Sequence, residues 1–186
     1  MEAILSLDGA ILRFFQESVR VGVLNTFFSV LTGLADHGMI CIAVCLVLIA
    51  VKKTRYKGVT VFCCLALAYL LNNILLKNLI DRPRPYVVFQ WLQTVGSIPS
   101  DSSFPSGHAC ACFATAYGVW QSFRGRTWWV FIPAALIAVG RVYEGIHYPT
   151  DVIAGVVMGL ACAMLAYRLR VRFLRFPRTE DAHPRT

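Results

Sequence analysis

Residues 59–80 read VTVFCCLALAYLLNNILLKNLI, an almost unbroken apolar run interrupted only by polar groups near its end. At 1.5 Å per residue it is long enough to cross a hydrocarbon core of about 30 Å. Its period is not that of a strand, so it reads as a membrane helix. Working outward, further apolar runs occupy about 21–35, 38–51, 104–123, 127–143 and 150–174. Composition agrees. The 186 residues are 57% hydrophobic and 15% charged, against about 45–50% and about 25% in a soluble domain. Mean hydropathy is +0.60. This excludes a disordered chain, a collagen-like chain and an ordinary cytosolic enzyme. The expected fold is an all-α membrane protein: a six-transmembrane-helix bundle over 21–174, preceded by an amphipathic helix within 1–20 and followed by a polar tail over 175–186. The whole reads as a single domain.

Net charge is +8. In a soluble protein that would suggest a nucleic-acid partner; here it reads as cytoplasmic Lys and Arg, and no nucleic acid is expected. Lys52, Lys53, Arg55 and Lys57 form one cluster, Arg124 and Arg126 a second, and Arg168, Arg170, Arg172, Arg175 and Arg178 a third. With six spans these fall on one side together with Arg13 and Arg20, which places both termini in the cytoplasm. That reading needs a tight turn at Asp36-His37-Gly38, because the first two runs are short. The alternative is a single broken span, which would reverse the N-terminus. In residues 2–18, Ile4, Leu7, Ile11, Phe14 and Phe15 share one face, with Glu2, Asp8, Arg13 and Glu17 elsewhere. This reads as an interfacial helix, or as the start of the first span. No cleavable signal is expected, since a basic n-region is missing. The seven cysteines are read as small buried hydrophobes.

Ionisable groups at membrane depth are costly and point to function. Three clusters stand out. Lys77, Arg82 and Arg84 end the third run. Pro105-Ser106-Gly107-His108 opens the fourth. Arg141, Glu144, His147 and Asp151 bridge the fifth and sixth. The six-span layout puts all three at the outer face. Lys77, Arg84 and Arg141 are cations with no matching set of anions, suited to phosphate oxygens. Ser106 and Gly107 at a helix start add free N–H groups, a hydroxyl and a close backbone approach. Pro149 suits the first turn of the last span, so Asp151 could reach back to His147 and free its other nitrogen as nucleophile. His108 would protonate the leaving oxygen. Asp81, Asp101 and Glu144 are scattered, so no metal is expected. Asp36 and His37 read as a solvated turn. Asn72 or Asn73 is expected to bond across helices, and Trp91, Trp128 and Trp129 to anchor at the interface.

These residues resemble the type 2 phosphatidic acid phosphatase (PAP2) superfamily, whose signature is K-x6-R-P, P-S-G-H and S-R-x5-H-x3-D. Lys77 to Arg84-Pro85, Pro105 to His108, and Arg141, His147 and Asp151 carry the match; Gly140 stands where Ser is usual. The resemblance implies a metal-independent phosphatase or diphosphatase without cofactor. His147 would be the phosphohistidine nucleophile, Asp151 its orienting partner and His108 the acid and base. Lys77, Arg84, Ser106, Gly107 and Arg141 would hold phosphate. Size and layout resemble the bacterial undecaprenyl diphosphate phosphatases, which implies a multi-pass cell-membrane enzyme acting on undecaprenyl diphosphate at the extracytoplasmic face, with membrane lipids as its surroundings. Phosphatidylglycerophosphate, phosphatidic acid or a lipid A phosphate fits the same motifs. A small anion or lipid transporter is the reading from another class.

Overall fold

The computed structural model describes residues 2–173 and is helical throughout, with no strand among the described residues. The polar tail, with Arg175, Arg178 and His183, lies outside them. The helices are α1 (Glu2–Phe14), α2 (Gly22–Gly33), α3 (Met39–Ala50), α4 (Arg55–Tyr69), α5 (Lys77–Leu79), α6 (Pro85–Val88), α7 (Gly107–Ser122), α8 (Phe131–Tyr143) and α9 (Pro149–Phe173). A π-helical stretch, Leu70–Leu76, joins α4 to α5 without interrupting the rod. Among the described residues, two helical stretches are long and apolar enough to cross a membrane, Arg55–Leu79 and Pro149–Arg170. Large apolar side chains such as Val23, Val30, Leu46, Val47, Ile153 and Val157 face outward. That surface is suited to acyl chains rather than water.

The seam between α7 and α9 organises the bundle. Gly155 and Gly159 form a GxxxG pair; a Cβ at either would lie 2.5 Å from Ser106 O or 2.3 Å from Cys110 O. Only glycine allows backbones this close, and dispersion between them replaces the hydrophobic drive that lipid cannot supply. α4 runs against α7 in the opposite sense, with Ala68 beside Cys110 and Val61 beside Gly118. α3 and α8 complete the layer through Cys41, Cys45, Ala134 and Ile137. All seven cysteines are free thiols, six of them buried.

One expectation is corrected. The tight turn at Asp36-His37-Gly38 is not a hairpin. His37 and Gly38 do take positive φ (53° and 72°), yet α2 and α3 are bent by only 42°. A hairpin would reverse direction, so the pair has the geometry of a broken span or a re-entrant loop. Each helix has 12 residues, too short to cross alone. Consequently the first helix lies at the opposite end of the bundle from residue 173. α1 crosses the end where α8 stops and α9 begins. Asp8 accepts from Thr150, Gln16 Nε2 donates to Trp91 O at 2.9 Å, and Arg20 Nε donates to Tyr143 O at 3.0 Å. Arg13 and Arg20 therefore leave the basic set at the far end. α1 turns its polar and small residues toward the bundle. Asp8, Gly9 and Leu12 are buried, while Ile4, Leu7 and Phe14 are exposed.

Candidate active site

Every motif residue arrives at the end of a helix on that same face. α7 starts at Gly107 because Ser106 has extended φ/ψ and its Oγ accepts from Ala109 N, at 3.5 Å. α9 starts at Pro149, which needs no N–H there. The Asp151 carboxylate reaches back to Tyr148 N at 3.1 Å, a capping-box arrangement. Ser106 N donates to Asp151 O at 3.0 Å, which fixes the two helix starts relative to each other.

Lys77, Arg84, Gly107, His108, Arg141 and His147 line one cavity of about 1020 Å³. Asp151 lies behind His147, fully buried, and Ser106 is sealed beneath the helix start as its cap. Gly107 serves close packing, since a Cβ there would lie 2.9 Å from Asn73 Oδ1. Arg84 is the hub. Its Nη1 donates to Ile146 O at 2.8 Å and lies 3.5 Å from His147 Nε2. Its Nε donates to Asp101 O at 2.7 Å. His147 Nδ1 is 3.7 Å from Asp151 Oδ2 and has no hydrogen-bond partner. The gap is just beyond hydrogen-bond distance, and a small ring movement closes it. Burial pushes the His147 ring down to about 4, against the pull of Asp151 and with the cations Arg84 and Arg141 adding to the fall. The ring is thus neutral, as a nucleophile must be.

The sequence reading missed the anions. Asp101, apparently remote, bridges Lys77 Nζ and Arg84 Nη2, the latter at 2.5 Å. Burial works against its charge, but Lys77 and Arg84 outweigh it and hold its carboxyl at about 2. Asp36 is not a solvated turn residue: its Oδ1 lies 3.0 Å from His108 Nε2 and 3.6 Å from Arg141 Nη2. Glu144 pairs with Arg141 Nη1 at 3.1 Å and accepts from the Thr32 hydroxyl. The three cations therefore do have matching carboxylates. Two of these, Asp36 and Asp101, line the cavity. They take the donors that a bound phosphate would take. Asp36 left a signal, as a carboxylate between two apolar runs, and so did Glu144, as a carboxylate between Arg141 and His147.

Other positions differ from expectation as well. Asn72 is fully buried but bonds its neighbour Asn73 at 2.9 Å, not another helix. Trp91 stacks on Phe89 at 5.3 Å, with Arg13 over its ring at 4.8 Å, so α1 holds it. Gly140 has a packing reason: a Cβ there would lie 2.7 Å from Thr32 Cγ2 on α2. Arg82 pairs with Asp8 and Asp151.

Residues 57–175 match the PAP2 superfamily. The undecaprenyl-diphosphatase of Sulfolobus acidocaldarius is 30% identical over 129 residues, 69% of this chain and 62% of that protein. Undecaprenyl-diphosphatase BcrC of Bacillus subtilis is 31% identical over 119 residues, 63% of this chain and 58% of its own. The match thus spans about three fifths of the length of these relatives. In three dimensions the chain is similar to a transmembrane PAP2 type phosphatidylglycerolphosphate phosphatase from Bacillus subtilis. The TM-score is 0.74 at 25% identity, over 95% of this chain and 90% of that one.

Proposed function

Because this chain belongs to the PAP2 superfamily, we propose that it is an integral membrane lipid phosphatase, most suited to converting undecaprenyl diphosphate to undecaprenyl phosphate at the extracytoplasmic face. The observation that carries this reading is the mixed lining of the cavity. Lys77, Arg84, His108, Arg141 and His147 line it together with Ile42, Phe62, Leu65, Tyr69, Leu70 and Ile74, from α3, α4 and the π-helical stretch that continues α4. A phosphate group with an apolar tail fits such a lining, and a free sugar phosphate leaves its apolar part unused.

In this mechanism the phosphate displaces the Asp101 carboxylate from Lys77 and Arg84. His147 Nε2 attacks phosphorus while Asp151 takes up the hydrogen bond from Nδ1. The phosphorus–oxygen bond to the lipid phosphate breaks, and His108 delivers a proton to that oxygen. His108 then accepts a proton from water, whose oxygen displaces His147 and releases inorganic phosphate. Arg84 and Arg141 spread the developing charge. The bundle crosses the membrane in a single domain, with the basic clusters at 52–57, 124–126 and 168–170 in the cytoplasm and the site on the other side.

A glycerolipid phosphate is the second reading, favoured by the structural likeness to the Bacillus subtilis phosphatase. The test is phosphate release in detergent from undecaprenyl diphosphate and from phosphatidylglycerophosphate, with EDTA present, by the intact protein and by His147→Ala. Release from the diphosphate that His147→Ala abolishes is the expected result. Release from the glycerolipid alone overturns the substrate, and no His147-dependent release from any lipid phosphate overturns the enzyme.

A further inference from the structure

Arg82 lies outside the motif spacing, and Asp8 sits on a helix that the motifs do not include. The structure joins them to the catalytic carboxylate. Arg82 Nη2 donates to Asp8 Oδ2 at 2.9 Å, and Nη1 donates to Asp151 Oδ1 at 2.5 Å and to Thr150 Oγ1 at 2.9 Å. Its guanidinium lies 3.8 Å over the Tyr148 ring. Asp8, 1% exposed, also accepts from Thr150 N at 3.0 Å and from Thr150 Oγ1 at 2.6 Å, at the start of α9. Gly9 lets this helix come down on Phe89, where a Cβ would lie 3.0 Å from the ring.

The other bonds of Asp151 show what this fork does. Its Oδ2 accepts from Ser103 Oγ and from Tyr148 N, and is the atom that faces His147. Its Oδ1 is held by Arg82. Without that hold the carboxylate can rotate about its last bond, and Oδ2 no longer faces the imidazole in one orientation. Two buried carboxylates sharing one guanidinium are costly to break singly, because the survivor stays buried without its counter-charge.

We propose that Asp8 and Arg82 are positioning residues for the catalytic pair: the first helix, through the Arg82 fork, sets the rotation of the Asp151 carboxylate against His147. This rests on the reading of His147 and Asp151 as nucleophile and partner. The fork acts on the turnover step and touches no part of the substrate. Asp8→Asn and Arg82→Gln should each lower kcat by about 10-fold to 100-fold, the range for outer groups that orient a histidine through a carboxylate, with KM within about twofold.

The experiment measures kcat and KM for Asp8→Asn, Asp8→Glu, Arg82→Gln, Arg82→Lys and the double variant Asp8→Asn/Arg82→Gln. The same detergent preparations give the nitrogen NMR signals of the His147 ring without substrate. The expected result is a loss confined to kcat, partial return in Asp8→Glu and Arg82→Lys, a double variant no worse than Arg82→Gln alone, and a displaced His147 signal. Unchanged kcat, losses that multiply in the double variant, or a rise in KM alone overturns the proposal. The ring signal separates it from the enzymatic reading. A signal that stays in place overturns the fork whatever the lipid assay gives. A signal that moves in protein without lipid phosphatase activity keeps the fork and removes the reaction.

Discussion

Asp101→Asn should make the enzyme bind phosphate more tightly. The carboxylate of Asp101 holds Lys77 and Arg84 together in the free site, so any incoming phosphate competes with it. Its side chain is 55% exposed, so water screens part of each contact. Exposed ion pairs contribute about 0.2–1 kcal/mol and hydrogen bonds to charged groups about 1.5–3 kcal/mol. About 1 kcal/mol for each of the two cations is the consistent figure, about 2 kcal/mol in all. At 1.4 kcal/mol per tenfold this is about 30-fold in affinity. Asparagine keeps the size of the side chain, and the bond from Arg84 Nε to the Asp101 carbonyl is untouched. The assay is inhibition of lipid phosphate release by inorganic phosphate, with KM for the lipid measured alongside. Both constants should fall by about 10-fold to 30-fold with kcat nearly unchanged. A rise in either constant would refute the argument, because it would show that the carboxylate assists binding rather than competing with it.

Four further outcomes follow from the geometry. The His147 ring titrates near 6.5 when unfolded and at about 4 when folded. The unfolded chain therefore binds the proton first, and stability should fall as pH drops from 6.5 toward 4; a thermal scan in detergent should show a smaller fall for His147→Gln. Gly155→Ala drives a Cβ to 2.5 Å from Ser106 O, so it should cost about 1–3 kcal/mol of stability and lower turnover by moving His108. Gly33→Ala in α2 meets nothing within 4 Å and should be neutral or stabilising by about 0.5–1 kcal/mol in the same unfolding titration. Gly140→Ser, which restores the usual family residue, should lower the melting temperature and leave phosphate affinity unimproved, because its Cβ meets Thr32 Cγ2 at 2.7 Å.

The spacing from Lys77 to Asp151 was legible because each motif sits at a helix end, and helix ends can be read from Pro149, Ser106 and the edges of apolar runs. What was not legible has physical causes. The contact of Asp36 with His108 spans 72 residues of sequence, and no local pattern encodes it. The apolar stripe of α1 was legible as an interfacial face, but the partner of Asp8 on the other side was not. Where lipid is the solvent, Ile4, Leu7 and Phe14 can face out while Asp8 turns in to meet Arg82. The hairpin at residue 36 could have been rejected on length, since two 12-residue helices rise about 18 Å each, well short of a bilayer.

The cavity also divides its labour between walls. The groups proposed to react, His108, Arg141 and His147, belong to α7, α8 and the turn before α9, on the side locked by Gly155 and Gly159. Its apolar lining comes largely from α3, α4 and the π-helical stretch that continues α4. On the proposed reading, chemistry and tail recognition are therefore separable by substitution. Exchanging Ile42, Phe62, Tyr69 or Ile74 for larger or smaller side chains reshapes the berth for the hydrocarbon without disturbing the atoms that move phosphate. A lineage, or an engineer, can retune which lipid is accepted while inheriting the reaction unaltered.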